Sequence, residues 1–310
     1  MATKKTILVT GATGAQGGSV AQALLQNGQY DVRILTRRPD SEKAVALHEM
    51  GATVYAGDFS DKDSLKAAVD GCYGVFGLTN FWEHYEKEYD LGVNLIDAVA
   101  AAGVQHFVLH TLADYNALSG GQFPVPHCDM KAALKRYTKQ RGVPATFLEV
   151  AFYYENFFTF FPPLPDQFGT YQFGFPQGHT KLAMVSVADV GGIAARIFAE
   201  PEAFVGRTIG AVAADATCDD YAATMTRVLG MPVHYNYIPR DLYASFGFPG
   251  AVELANRFEV QRLYIPSRQR DLEESYRLNP GMQTFESWLL KNKEALIARM
   301  QPQEVADVVY

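Results

Sequence analysis

A glycine-rich turn stands between a short apolar run and a helical pattern, at the very head of the chain. The run is Thr6 to Thr10 (TILVT). The turn is Gly11-Ala-Thr-Gly14-Ala-Gln-Gly17-Gly18. The helical pattern after it carries Val20, Ala23 and Leu24 and stops at Asn27-Gly28. An apolar, β-branched run of that length reads as a strand buried on both faces. Glycines spaced G-x-x-G-x-x-G at the junction allow a tight turn, close approach of a ligand to bare backbone, and close packing of helix on strand. The helix N-terminus then offers unpaired N–H groups and a positive dipole end, which suits a pyrophosphate. A glycine triplet alone is a weak signal, and its setting between strand and helix strengthens it. Gly11, Thr13, Gly14, Ala15, Gln16 and Gly17 are therefore expected to cradle a dinucleotide.

The pattern continues as strand and helix in alternation. Val32 to Leu35, Thr53 to Ala56, Val75 to Leu78, His106 to Leu109 and Thr146 to Val150 read as strands. Glu42 to Met50, Asp61 to Val69, a long helix from about His84 to Ala102, and His127 to Arg141 read as helices. Such alternation predicts an α/β fold, a Rossmann-type doubly wound parallel sheet with helices on both faces. The texture changes after Val150. Residues 152–176 hold Phe152, Tyr153, Tyr154, Phe157, Phe158, Phe160 and Phe161 with four prolines, which suits either core or the lining of an apolar pocket. The expected organisation is a dinucleotide-binding domain over 1–150, rejoined by a strand and helix within 183–200 (Met184 to Val187, Asp189 to Ala199), and a smaller α+β lobe over most of 151–310. Helices of that lobe are expected near Cys218 to Leu229, Asp241 to Phe246, Gly250 to Leu263 and Thr284 to Arg299, and the tail after Gln301 reads as frayed.

Bulk properties narrow the function. Of 310 residues, 48% are hydrophobic and 20% charged, an ordinary globular composition. A net charge of −7 with no long basic run argues against direct nucleic-acid binding. Cys72, Cys128 and Cys218 are too few and scattered for a disulfide framework or zinc cluster. His84, His106, His110, His179 and His234 have no metal-ligand spacing, so no metal is expected. The early apolar run is cut by Gly11 and Gly14, too soon for a signal peptide, and no apolar stretch approaches the ~20 residues of a membrane span. These features read as a cytoplasmic protein with no membrane contact. Monomer and homodimer are both left open.

The end of the second strand bears on which dinucleotide is bound. An NAD site places Asp or Glu there, on the ribose 2′-hydroxyl. Here the residues are Thr36-Arg37-Arg38-Pro39. Arg37 suits a 2′-phosphate through charge-assisted contacts, with Thr36 and Arg38 assisting, so NADP(H) is the expected cofactor. A solvent-exposed arginine pair on a loop is the alternative. Gly57-Asp58-Phe59 follows the third strand. Asp58 is placed to accept from an adenine amino group with Phe59 beside the ring, and is equally placed to serve as a cap or turn residue. Thr79, Asn80 and Phe81 close the fourth strand, at the carboxyl edge where ligands sit.

The glycine loop, the Thr36-Arg37 strand end and Gly57-Asp58 resemble an atypical short-chain dehydrogenase/reductase. Glu149-Val-Ala-Phe-Tyr-Tyr-Glu-Asn156-Phe157 resembles the NmrA-like family in particular. Lys131-Ala-Ala-Leu-Lys-Arg with Gly142-Val-Pro-Ala-Thr is similar to isoflavone-reductase-like enzymes. The likeness is strong over residues 1–160 and thin beyond about 200. It implies that Tyr153 and Asn156 face the substrate side, although core packing suits Tyr153 as well. A standard short-chain dehydrogenase carries Tyr-x-x-x-Lys and an upstream serine, because reduction of a carbonyl needs a proton donor of lowered pKa. Here the sequence is His127-Cys-Asp-Met-Lys131, with Thr111 where the serine would be. One reading is an NADP(H)-sensing regulator in which Lys131 orients the cofactor and nothing reacts. The other is an NADPH-dependent reductase of a quinone, enone or similar small apolar acceptor, with Lys131 or His127 as the acid/base. The i, i+4 spacing puts both on one helix face, and imidazole titrates near neutrality. Exposure in the first helical turn is the favoured expectation for His127, and cofactor contact for Lys131. Beyond NADP(H), the expected partner is a small apolar substrate or a regulatory protein.

Overall fold

The computed structural model describes residues 4–301. The tail after Gln301, expected to fray, lies outside the described residues. The chain forms two compact units. The first comprises Met1–Ala151, Val187–Val212 and Arg270–Met282, and the second Phe152–Ser186, Ala213–Gln269 and Gln283–Tyr310.

The first unit is built on a seven-stranded sheet. Its strands are β1 (Lys5–Thr10), β2 (Tyr30–Thr36), β3 (Thr53–Ala56), β4 (Gly74–Gly77), β5 (His106–Thr111), β6 (Ala145–Val150) and a late strand, Thr208–Ala211. Every pairing is parallel, and the order is Thr208–Ala211, β6, β5, β4, β1, β2, β3. β1 thus lies between β2 and β4, and the sheet grows outward in opposite directions from that point. Ligands of open α/β sheets bind outside the carboxyl ends of the strands at such a reversal. Ile7, Leu8 and Val9 are wholly buried, as a strand covered on both faces requires.

Helices α1 (Ala15–Asn27), α2 (Glu42–Glu49), α3 (Lys62–Val69), α4 (Phe81–His84), α5 (Glu88–Ala101), α6 (Tyr115–Leu118), α7 (Pro126–Gln140) and α8 (Val190–Ala199) flank this sheet. Their starts follow from local chemistry. Ser41 caps α2 and Asp61 caps α3, each side chain accepting from backbone N–H groups of the first turn. Pro126 opens α7, where its missing N–H costs nothing, and the Asp129 carboxylate accepts from Val125 N at 2.7 Å. α8 lies so close to α1 that a Cβ on Gly191 would stand 2.1 Å from Ser19 O.

Three expectations are corrected here. The helix expected from His84 to Ala102 is broken: α4 ends at His84, a 3-10 turn spans Tyr85–Lys87, and α5 begins at Glu88. The cause is Tyr85, whose φ of +46° lies outside the helical region and interrupts the hydrogen-bond ladder. The strand expected at Met184 to Val187 is Lys181–Val185, and it pairs with Phe152–Tyr153 and Ala214–Thr217 in a sheet of the second unit rather than joining the large sheet. The edge strand Thr208–Ala211 was not expected at all. It is pinned by Ser275, whose hydroxyl donates to Gly210 O at 2.8 Å and accepts from Val212 N at 3.0 Å.

The second unit contains that three-stranded sheet and another, in the order Val233–Tyr237, Tyr171–Phe175, Leu164–Pro165, together with helices Cys218–Leu229, Arg240–Ala244, Ala251–Tyr264 and Phe285–Met300. Much of the aromatic stretch after Val150 packs as core, while Phe160 is exposed. Phe175 stacks on Phe258 with ring centroids 4.4 Å apart, Phe152 and Phe161 sit against both, and Tyr154 meets Phe285 and Trp288. Such ring clusters contribute beyond the area they bury. No helix among the described residues is long and apolar enough to cross a membrane.

Candidate functional site

Gly11 follows β1 with φ +63°, a conformation glycine adopts without strain, and a Cβ there would stand 2.9 Å from Leu78 Cδ2. Gly14 N donates to Gly11 O at 2.9 Å to close the turn, and Gly14 is the N-cap of α1. It brings no side chain over the helix end, and the first turn of α1 carries no acidic residue. Gly17 is the tightest of the set: a Cβ would lie 2.3 Å from Gly11 O and 2.7 Å from Thr10 O, backbone against backbone. Thr10 ties the loop to the neighbouring strand, its hydroxyl accepting from Leu78 N at 2.8 Å. Thr13 completes the loop, and Ala15 and Gln16 open α1, with Gln16 buried.

Thr36, Arg37 and Arg38 lie at the carboxyl end of β2, Thr36 buried and both arginines exposed. The Thr36 hydroxyl accepts from Arg38 N at 3.2 Å. Arg37 faces two carboxylates: its Nη2 donates to Glu83 on α4, and its Nε lies 3.8 Å from Asp58 Oδ2. The guanidinium helps hold the Glu83 carboxyl below its ordinary range. Asp58 forms a turn with Ser60, accepting from its N–H at 2.7 Å and from its hydroxyl, and these bonds lower its pKa more than Arg37 does. Phe59 is half-buried on the core of the first unit.

The fourth strand leads to a second set. Thr79 is buried, Asn80 exposed and Phe81 buried. Lys131, on α7, is also buried. Its ammonium donates to Thr79 O at 2.9 Å, to Thr79 Oγ1 at 3.0 Å and to Glu88 Oε1. An ammonium has three N–H donors, and all three are matched by protein acceptors. Thr79 Oγ1 in turn donates to Glu88 Oε1 at 2.6 Å. Glu88 is the first residue of α5, where the helix dipole favours a carboxylate. Its other oxygen, Oε2, is buried and meets no donor among the described residues. His110, on β5, is buried, and desolvation together with the Lys131 charge drives its pKa well below 6.5.

Thr111, in the expected serine position, is wholly buried and donates to Lys131 O at 3.0 Å, so its hydroxyl fastens α7 to β5. His127 departs from the expected exposure. It is buried, with ring centroids 6.0 Å from Phe81 and 5.4 Å from Trp82. The reason is α4, which the sequence reading left out and whose rings lie over the first turn of α7. Tyr153 and Asn156 belong to the second unit, on the two-residue strand Phe152–Tyr153 and the 3-10 turn Tyr154–Phe157, both half-buried. Glu83 and Glu88 were not singled out from the sequence. Glu88 lay inside the helix expected from His84 and Glu83 just before it, and the break at Tyr85 separates them.

The three cysteines are free and buried, and burial raises the pKa of the Cys72 and Cys218 thiols. Among the described residues no group of three or more His, Cys, Asp or Glu is arranged to hold a metal ion.

The sequence matches the NmrA-like family model over residues 3–289, and the chain belongs to that family. A similar relative is the NmrA-like family domain-containing oxidoreductase FrzB of a Cladobotryum species, 33% identical over 270 residues, covering 80% of each chain. Among solved structures, NmrA, a negative transcriptional regulator, in complex with NADP superposes with a TM-score of 0.81 at 22% identity, covering 96% of this chain and 97% of that one. An NADPH-dependent quinone oxidoreductase of Escherichia coli, complexed with NADPH, gives 0.77 at 22% identity, covering 95% and 100%. At these identities the two structures establish the fold.

Proposed function

We propose that this member of the NmrA-like family binds NADP(H) at the glycine loop and Arg37, and serves as a redox sensor or regulator with a degenerate dehydrogenase site. The residues fit a dinucleotide. Gly14 leaves the N-terminus of a 13-residue helix bare, no acidic side chain stands in its first turn, and a guanidinium stands at the end of β2. NADPH supplies a hydride when bound. The observation that carries the regulatory reading is the state of Lys131. Its three donors are matched by Thr79 and Glu88, and its i−4 neighbour, in place of a tyrosine, is a histidine buried under Phe81 and Trp82. A proton donor for reduction has to reach the reacting atom, and the Lys131 ammonium, its three donors matched by protein acceptors, is committed elsewhere in this arrangement.

Titration of wild type and Arg37→Ala with NADPH and NADH tests the cofactor. Tighter binding of NADPH, lost by about tenfold or more in the variant, is expected for charge-assisted bonds to a 2′-phosphate. Equal affinities, or a difference that survives Arg37→Ala, would overturn it.

The second reading is an NADPH-dependent reductase of a quinone, enone or similar small apolar acceptor. It is supported by the oxidoreductase name of the Cladobotryum relative and by the quinone oxidoreductase among the similar structures. Nicotinamide absorbance over a panel of such acceptors separates the two. Turnover that disappears in Lys131→Ala while NADPH binding persists would replace the regulatory reading.

A further inference from the structure

Of the three glutamates among the eight residues from Phe81 to Glu88, two are each paired with a cation expected at the cofactor. Glu83 sits on Arg37, and Glu88 sits on Lys131. Between them lies Tyr85, the one non-glycine residue with positive φ among those described. The rings of Phe81 and Trp82, next to Glu83, rest against His127 on the helix that bears Lys131. One short, strained segment therefore touches both ends of the cofactor region.

The pair at Arg37 has a specific chemical sense. A guanidinium presents parallel N–H donors that fit a carboxylate and a phosphate equally well. Glu83 thus offers Arg37 what a 2′-phosphate would offer. Its other partners hold it loosely, Asn80 Nδ2 at 3.4 Å and His84 Nε2 at 3.8 Å from Oε2. Both Arg37 and Glu83 are substantially open to solvent, at 52% and 39% side-chain exposure, so exchange of one anion for another meets no packing barrier.

We propose that Glu83 is an internal competitor for the 2′-phosphate at Arg37, and that a 2′-phosphorylated dinucleotide displaces it and shifts Trp82 from His127. This rests on the reading that Arg37 takes the 2′-phosphate. Glu83 is then a specificity-determining residue, setting how strongly NADP(H) is preferred over NAD(H). A dinucleotide lacking the 2′-phosphate leaves the Arg37–Glu83 pair, and hence the segment, in place.

The test uses 2′,5′-ADP and 5′-AMP as probes, because neither absorbs where tryptophan emits. In Glu83→Gln, 2′,5′-ADP is expected to bind about threefold tighter, the scale of an exposed ion pair, with 5′-AMP unchanged. In wild type, 2′,5′-ADP shifts tryptophan emission and 5′-AMP does not, and the shift is absent from Trp82→Phe, which keeps Trp288 as the internal control. Equal tightening of both probes would reduce the effect to general charge and overturn the proposal. So would bound 2′,5′-ADP with no Trp82 signal, or unchanged 2′,5′-ADP affinity in Glu83→Gln while Arg37→Ala still weakens it. If Arg37→Ala leaves 2′,5′-ADP binding intact, the underlying cofactor reading has failed, and that result is distinct from the others.

Discussion

The ammonium of Lys131 is bound by a carboxylate, that of Glu88, which has 0% exposure to solvent. Desolvating two charges is costly, and their attraction offsets that cost only while both are present. Glu88→Gln is therefore expected to lower unfolding stability by about 3 kcal/mol or more, since it leaves a buried cation without its counter-charge. Lys131→Met combined with Glu88→Leu removes both charges and should recover most of that loss. Urea unfolding of the wild type, single and double variants measures the coupling. A single variant within about 1 kcal/mol of wild type, the scale of a surface pair, would show that the pair does not behave as a buried one.

Gly17 and Gly191 separate cofactor binding from packing. A Cβ on Gly17 would stand 2.3 Å from Gly11 O, where the obstructing atom is loop backbone. Gly17→Ala should cost about 1–3 kcal/mol of stability and weaken dinucleotide binding, because the loop has to move. Gly191→Ala puts a Cβ 2.1 Å from Ser19 O, on the α1 backbone that meets α8 rather than on the turn at Gly11. It should also destabilise, while the folded fraction keeps its NADPH affinity. Thermal unfolding beside NADPH titration checks both. Wild-type melting of Gly17→Ala would mean that the helix and strand tolerate more separation than the backbone contact implies.

His106 gives the fold a pH dependence. The ring is buried in β5, Nε2 lies 2.8 Å from Thr146 Oγ1, Nδ1 meets no partner among the described residues, and burial lowers the pKa from 6.5 to about 4. A depressed histidine pKa means that the unfolded chain binds the proton more readily. Stability from this group is complete above pH 6.5 and falls as the pH drops from 6.5 toward 4. Between pH 6.5 and 5 the loss should be about 2 kcal/mol, and His106→Gln should lack that component. Urea midpoints at pH 7.5 and 5 for both proteins decide it. A variant that loses as much stability as wild type over that interval would locate the titration elsewhere.

The parts of this molecule that were legible in the sequence are those imposed by the backbone. Gly11, Gly14 and Gly17 are required by a turn and a helix–strand approach that exclude Cβ, and those requirements are visible as residue identity. The central strands β1 and β2 are apolar runs rich in β-branched residues and largely buried. Thr208–Ala211 is buried over its last three residues, but it holds one large apolar side chain, Ile209, and stands outside the regular strand–helix alternation that marks the others. Lys181–Val185 shows as a strand, yet nothing in its composition says that its neighbours are Phe152–Tyr153 and Ala214–Thr217. The site divides in the same way. Arg37 stands out because a specific carboxylate is missing from its position. Glu83 and Glu88 acquire meaning only through tertiary pairing, and the break at Tyr85 that makes the pairing possible is marked by neither glycine nor proline.

The edge strand Thr208–Ala211 and the segment Arg270–Met282 that holds it carry a consequence for synthesis. A ribosome delivers the glycine loop, Arg37, Glu83 and Lys131 within the first 151 residues, but α8, the last strand and Ser275 belong to the same compact unit and emerge much later. Until α8 and the strand Thr208–Ala211 have left the tunnel, α1 waits with an uncovered face and β6 with an unpaired edge, and that strand stays unpinned until Ser275 follows. The unit that carries the large sheet is thus first to be translated and among the last to be completed.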